Sequence, residues 1–314
     1  MDYEKSLLNE INLLISWWVS LNAVVVEEAA EVSESHIVCC LSPDCEHLIL
    51  IGDHQLLRPS TTAYQLGTNF GIDVSMFERM LKNHMPHERL TQQRRMQPNI
   101  SNMLKLHVYE DLQDHSSVAI DDDIFGLAKN VFFVTRNSKE VLDEGLENKT
   151  KMVLEAEFLL AFCRYLLLQG YQHEQILILT TCSEQLHIFK KFITSSFPTC
   201  AKVRITSTED YEGEESDIIL LSLMTRVKLK GSSSSSKTDS QDVAAISRAR
   251  KGLFMIGNMD VLSSGSEIWR KIEQFLLKEN QIGRALPLRC QNHPDEVVFI
   301  LEPNKFPVSG GCDR

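Results

Sequence analysis

Short apolar runs that end in acids mark the first part of the chain. Ala23-Val24-Val25-Val26 runs into Glu27-Glu28, and Leu48-Ile49-Leu50-Ile51 runs into Gly52-Asp53, with a mixed apolar stretch between them. Runs of this kind, bounded by polar and turn residues, predict buried strands, and the mixed stretch predicts a helix. The pattern returns at 131–134, 176–179, 203–205 and 217–222, and closes at 253–257. Helical stretches lie between these runs. In residues 152–168, Leu154, Phe158, Ala161, Phe162 and Tyr165 recur at helical spacing. Strands alternating with helices predict an α/β chain whose parallel sheets are covered by helices on both faces.

The polar stretch 121–150 separates two such units, although it contains a strand of its own. The predicted organisation is an unassigned segment 1–22, a partial first domain 23–120, a connecting segment 121–150, a second domain 151–281 and a tail 282–314. Gly231 and the serines 232–236, followed by Lys-Thr-Asp-Ser-Gln-Asp, predict a flexible surface loop. The apolar run 11–26 is interrupted by Asn12, Ser16, Ser20 and Asn22 and lacks a basic leader, so neither a signal peptide nor a membrane span is expected.

Composition narrows the classes. With 314 residues and 43% hydrophobic, the chain suits one large or two modest domains. A net charge of -11 excludes a surface that is basic throughout, so any nucleic-acid contact must be a local groove of clustered cations. The eight cysteines, among them Cys39, Cys40, Cys163 and Cys182 in apolar segments, suit reduced thiols in an intracellular compartment rather than a disulfide framework.

Acids at the C-terminal ends of parallel strands stand where open α/β sheets bind ligands. Of the adjacent pair Glu27 and Glu28, one carboxylate can hold Mg²⁺, largely through water, while its neighbour orients an attacking water, as phosphoryl transfer requires. Asp53 repeats that placement on the neighbouring strand. Three further strings follow in order: Gln93-Arg94-Arg95-Met96-Gln97-Pro98, Tyr211-Glu212-Gly213-Glu214-Glu215-Ser216-Asp217, and Ser247-Arg248-Ala249-Arg250-Lys251-Gly252.

Together the five strings resemble motifs II to VI of superfamily-one RNA helicases of the up-frameshift-like group, and within it the branch that carries NFX-type zinc fingers. The resemblance covers residues 23–314 and implies a RecA-like P-loop NTPase fold with a truncated first domain. It implies two such domains that clamp ATP with Mg²⁺ and move along single-stranded RNA. It further implies a role in RNA surveillance or antiviral RNA handling, RNA-surveillance proteins as partners, and a cytoplasmic rather than nuclear location. By the same resemblance Glu27 is the Mg²⁺-side acid, Glu28 activates water, and Arg95 and Arg248 reach the γ-phosphate. Asp53, Gln93, Gly213 and Glu215 serve the nucleotide, with Glu215 on the ribose, and Glu155 on the long helix supports the nucleotide site. Thr180, Thr181, Gln185 and Arg58, with His54 nearby, are implied to touch RNA.

The chain also departs from that pattern. No Gly-x-x-x-x-Gly-Lys-Ser/Thr string precedes Glu27, so a piece of a longer core is expected. Leu56 stands where the pattern has a phosphate-sensing glutamine, and Glu212 replaces a glutamine with an acid; both changes lean toward reduced activity. Cys290, His293 and Cys312 supply three candidate ligands where a closed zinc site needs four, so no bound zinc is expected. The competing reading is a catalytically inactive module that binds RNA or protein. A dinucleotide-binding enzyme is disfavoured because no Gly-x-Gly-x-x-Gly follows any strand.

Overall fold

The computed structural model describes residues 22–55, 58–59, 71, 73–105, 108–119, 123–136, 144–211, 213–224, 235–290 and 292–307. Contacts divide the chain into two compact units, Met1–Arg89 and Leu90–Arg314.

In the first unit, β1 (Ala23–Val26) is followed by α1 (Glu34–Cys39), β2 (His47–Leu50) and α2 (Met76–Lys82). The three valines of β1 favour an extended chain because β-branched side chains pack well on a pleated surface. β1 and β2 pair in parallel with Val26 opposite Leu50, which brings their acid-bearing C-terminal ends to one edge. α2 begins at Ser75, whose hydroxyl accepts the Glu78 N–H at 3.1 Å.

The second unit opens with β3 (Gln92–Gln93), α3 (Pro98–Lys105) and β4 (Gln113–Asp114). There follow β5 (Val131–Thr135), α4 (Glu144–Leu168), β6 (Ile176–Thr180), α5 (Gln185–Ser195), β7 (Arg204–Ser207) and β8 (Ser216–Leu223). Next come α6 (Ser235–Ile246), β9 (Ala249–Gly257), α7 (Met259–Gly265) and α8 (Glu267–Lys278). Last are β10 (Ile282–Gly283), β11 (Leu286–Cys290) and β12 (His293–Ile300). Six strands form one sheet in the order β10-β5-β9-β8-β6-β7, with every neighbouring pair parallel. This is the parallel α/β sheet that the alternating pattern predicts, in keeping with the RecA-like fold that the resemblance implies. Its strands read as continuous apolar runs because both faces are buried. On one face α4 buries Phe158, Phe162 and Leu166, and the Phe162 ring meets Phe254 edge-on at 5.0 Å.

Three features differ from the sequence expectation. The division falls at Arg89, upstream of the polar 121–150 stretch, so Gln93 and Arg95 belong with the second unit. Backbone bonding explains this: the Gln97 N–H donates to the Arg250 carbonyl at 2.8 Å and ties the β3–α3 loop to the large sheet. Residues 237–242, expected in a loop, are helical within α6. Tertiary contacts override their polar composition, since Asp242 is buried and accepts the Trp269 indole N–H at 2.9 Å, while Val243 to Ile246 pack inward. After Gln281, where the sequence pattern fades, β10 adds a sixth strand, β11 and β12 pair in antiparallel fashion, and Phe306 stacks on Phe162 at 5.7 Å.

Candidate functional site

In the first unit the loops after β1 and β2 run in contact. The Ala29 N–H donates to Ile51 O at 2.8 Å, and a Cβ on Gly52 would stand 2.9 Å from the Ala30 nitrogen, so only glycine fits there. Glu27 and Glu28 are exposed on the first of these loops, and Glu28 takes a left-handed backbone with φ 50°. A non-glycine residue there costs on the order of 1 kcal/mol, strain of a kind that collects at functional turns. On the second loop Asp53 Oδ1 accepts the Gln55 N–H at 2.9 Å and closes a turn. Leu56 lies outside the described residues. Among the described residues no group of three or more His, Cys, Asp or Glu side chains could cage a metal. Mg²⁺ needs only one or two carboxylates when phosphates and waters complete its shell, so exposed Glu27 beside the Asp53 loop fits an ion delivered with a nucleotide. Arg58 donates to buried Glu78 at 2.9 Å, and His54 stands 6.3 Å from the Phe77 ring.

In the second unit, three strings far apart in sequence meet at the N-terminal ends of β8 and β9. Arg95 Nε donates to Glu215 at 2.8 Å and its Nη1 donates to the Ser247 carbonyl at 3.2 Å. The Ser216 N–H donates to Arg248 O at 3.1 Å, Arg250 lies 3.7 Å from Glu215, and Arg250 and Lys251 both lie 3.6 Å from Asp217. Gly213 adopts φ 77°, which suits glycine. Glu212 lies outside the described residues. Gln93 sits one step back: its Oε1 accepts the N–H groups of Arg95 at 2.9 Å and Met96 at 2.8 Å. Asp114, which joins this network through Gln93, lies in none of the five strings, and only the β3–β4 pairing brings it to the cluster.

The other candidates lie at the opposite ends of β6 and β8, roughly 25 Å along the eight-residue β8 at about 3.3 Å per residue. Thr180 and Gln185 are fully buried and hydrogen-bonded to each other, and the Gln185 amide donates to Met152 O at 3.0 Å. The resemblance implies that both touch RNA; in the structure both are buried and support the β6–α5 loop. Thr181 is part-exposed on that loop and donates to the Ser222 and Met224 carbonyls at 3.4 and 3.2 Å. Beneath lies Glu155, which accepts the Ser222 hydroxyl at 2.7 Å. Burial pushes its carboxyl up to about 7, against the opposing pull of that hydrogen bond and of Arg136 and Lys151.

The folded carboxyl therefore keeps its proton to about pH 7, whereas an unfolded one releases it near 4.5. Folding binds the proton across that window, so this group's contribution is fully present below the lower value and is lost as pH rises through the upper one. Above pH 7 the ionised, desolvated carboxylate costs on the order of 3 kcal/mol, at about 1.4 kcal/mol per pH unit. Glu155→Gln keeps an acceptor for Ser222 and removes that cost. Urea unfolding at pH 8 is expected to show a gain of up to about 3 kcal/mol that disappears by pH 4.5. Equal effects at both pH values would mean that the carboxyl titrates normally.

The description "AAA domain" matches residues 72–260, and that stretch holds the whole convergent cluster of Arg95, Glu215 and Arg248. The chain belongs to this family. It is 42% identical over 294 residues to mouse "NFX1-type zinc finger-containing protein 1", covering 93% of this chain and 15% of that protein. It is 32% identical to "Helicase required for RNAi-mediated heterochromatin assembly 1" of Schizosaccharomyces pombe, covering 88% of this chain and 28% of that one. It is 26% identical to "Regulator of nonsense transcripts 1" of Dictyostelium discoideum, covering 90% and 22%. The AAA-family chain is thus a helicase-like domain related to the up-frameshift-like group, and it spans 15% of the length of its mouse relative. A solved structure described as "The structure of PRRSV helicase" aligns over 76% of this chain and 36% of that chain at 16% identity with a TM-score of 0.40. Among the described residues no helix is long and apolar enough to cross a membrane.

Proposed function

We propose that this chain supplies motifs II to VI of an ATP-dependent helicase core that works on single-stranded RNA, in cytoplasmic RNA surveillance or antiviral RNA handling, beside RNA-surveillance proteins. The observation that carries the reading is the convergence of residues 93–97, 213–217 and 247–251 at one end of the large sheet, where Arg95, Glu215 and the Ser247–Arg248 turn share hydrogen bonds.

The chemistry follows from the side chains. Guanidinium forks match phosphate oxygens and spread charge, so Arg95 and Arg248 neutralise the γ-phosphate as charge develops on it. Glu215 accepts from a ribose hydroxyl. In the structure it accepts from Arg95 with both side chains partly exposed, a pairing worth no more than about 1 kcal/mol, so exchange for a nucleotide is cheap. Gly213 and Gln93 shape the backbone on either side of that contact. In the first unit Glu27 would hold Mg²⁺, Glu28 would take the proton of the attacking water, and Asp53 would hold the adjoining loop. Mg²⁺, when bound with ATP, supplies charge neutralisation at the phosphate oxygens. Thr181 and Arg58 offer donors to an RNA backbone, and Thr180 and Gln185 stiffen the loop that presents Thr181.

The test is ATP hydrolysis with and without single-stranded RNA, and fluorescence anisotropy of labelled RNA, for the 314-residue chain and for the full-length gene product. RNA-stimulated hydrolysis by the full-length protein, with RNA affinity falling as salt rises, is the expected result. RNA binding with no hydrolysis in either form would make the chain a binding module. No RNA binding by either form would end the helicase reading.

A further inference from the structure

Arg95 is the end point of a hydrogen-bonded relay that begins at a residue none of the five strings contains. We propose that Asp114 is a positioning residue for Arg95, acting through the amide of Gln93; this rests on the nucleotide reading of Arg95 given above.

The relay starts where β3 and β4 pair, with Gln93 opposite Asp114. Gln93 Nε2 donates to Asp114 Oδ1 at 2.6 Å and to Met96 O at 2.8 Å. Its Oε1 then faces the other way and accepts the Arg95 and Met96 N–H groups. An amide side chain can be rotated by half a turn at little steric cost, and the rotated form would aim Nε2 at those two N–H donors. The two N–H donors and the Met96 carbonyl already disfavour that form, and Asp114, a carboxylate that accepts only, adds to the same choice and anchors the amide that grips the Arg95 backbone. Asp114 is itself held: buried Ser101 donates to Oδ2 at 3.0 Å, and Lys105 Nζ at 2.6 Å. Burial raises the Asp114 carboxyl, but the hydrogen bonds from Gln93, Lys105 and Ser101 outweigh it and hold the group below its ordinary value, so it stays ionised.

The far side of the loop is pinned as well. The Gln97 N–H donates to Arg250 O at 2.8 Å, and Asn130 Nδ2 donates to Gln97 Oε1 at 3.4 Å. The Arg95 backbone thus hangs between the Asp114 relay and the edge of β9, and its guanidinium reaches Glu215 and the Ser247 carbonyl from a fixed base. Geometry set within a fraction of an ångström is what a group that stabilises developing charge requires.

The experiment is steady-state ATP turnover by the full-length protein carrying Asp114→Ala, Arg95→Ala, or both, with the thermal midpoint of each. Asp114→Ala is expected to lower kcat at least tenfold with the KM for ATP changed less than threefold. In the Arg95→Ala background it should cost nothing further, because a residue that acts only through Arg95 has nothing left to place. Asp114→Asn keeps the side-chain shape but removes the charge that holds Gln93 and Lys105; it should lose several-fold, and it serves as the variant to read if Asp114→Ala fails to fold. Losses that multiply in the double variant, or an unchanged kcat in Asp114→Ala and Asp114→Asn while Arg95→Ala is impaired, would overturn the relay alone. An unchanged kcat in Arg95→Ala, or no turnover in the parent, would remove the nucleotide reading and the relay with it.

Discussion

If the proposed function holds, Arg248→Ala is expected to lower the RNA-stimulated ATP turnover of the full-length protein by roughly 10³-fold, the loss expected when a guanidinium that neutralises the transferred phosphate is removed. The structure explains why the loss should fall on kcat rather than on folding. The Arg248 backbone is fixed independently of its side chain: its N–H donates to Ala245 O at 3.3 Å and its carbonyl accepts the Ser216 N–H at 3.1 Å. Truncation at Cβ leaves both bonds in place. Arg248→Lys keeps the charge but loses the two-pronged fork, so it should recover only part of the rate. Turnover that Arg248→Ala leaves within threefold of the parent would remove this residue from the phosphate chemistry.

Phe162→Ala costs about 3–5 kcal/mol of unfolding free energy, the range for deleting a fully buried aromatic side chain. Phe162 has no exposed surface and lies at the centre of the α4 face, edge-on to Phe254 of β9 and stacked on Phe306, which follows the β11–β12 hairpin. One ring therefore joins the long helix, the central sheet and the last described stretch of the chain. Urea denaturation measures the loss, and a double-mutant cycle with Phe306→Ala should return a coupling of about 0.5–1.5 kcal/mol for the ring pair. A loss below about 1 kcal/mol would mean that the face of α4 repacks freely, contrary to close packing in protein interiors.

The convergent cluster shows why some of the candidate site was legible in sequence and some was not. Arg95, Glu215 and Arg248 each sit in a string whose residue types and order carry information, and the sheet brings them to one end of β8 and β9. Asp114 has no such string. Its weight comes from Gln93, Ser101 and Lys105, which only the β3–β4 pairing and α3 place around it. Thr180 and Gln185 show the opposite case: the resemblance implies RNA contact, and packing buries both side chains, which no single string could reveal.

Period and run length were sufficient for the α/β class, because a strand buried on both faces must be apolar throughout and a helix facing a sheet must be apolar at every third or fourth position. The acids after β1 and β2 were legible because a change from apolar to charged residues ends each run, but the burial those runs predict is not found there: Val25 and Ile49 are 60% and 50% exposed. Strand order, the helical fate of 237–242, the attachment of β10, the proton held by Glu155 and the division at Arg89 are different in kind. Each depends on which distant groups come within a few ångströms, and only the packed chain settles that, since desolvation and hydrogen bonding act through space rather than along the sequence.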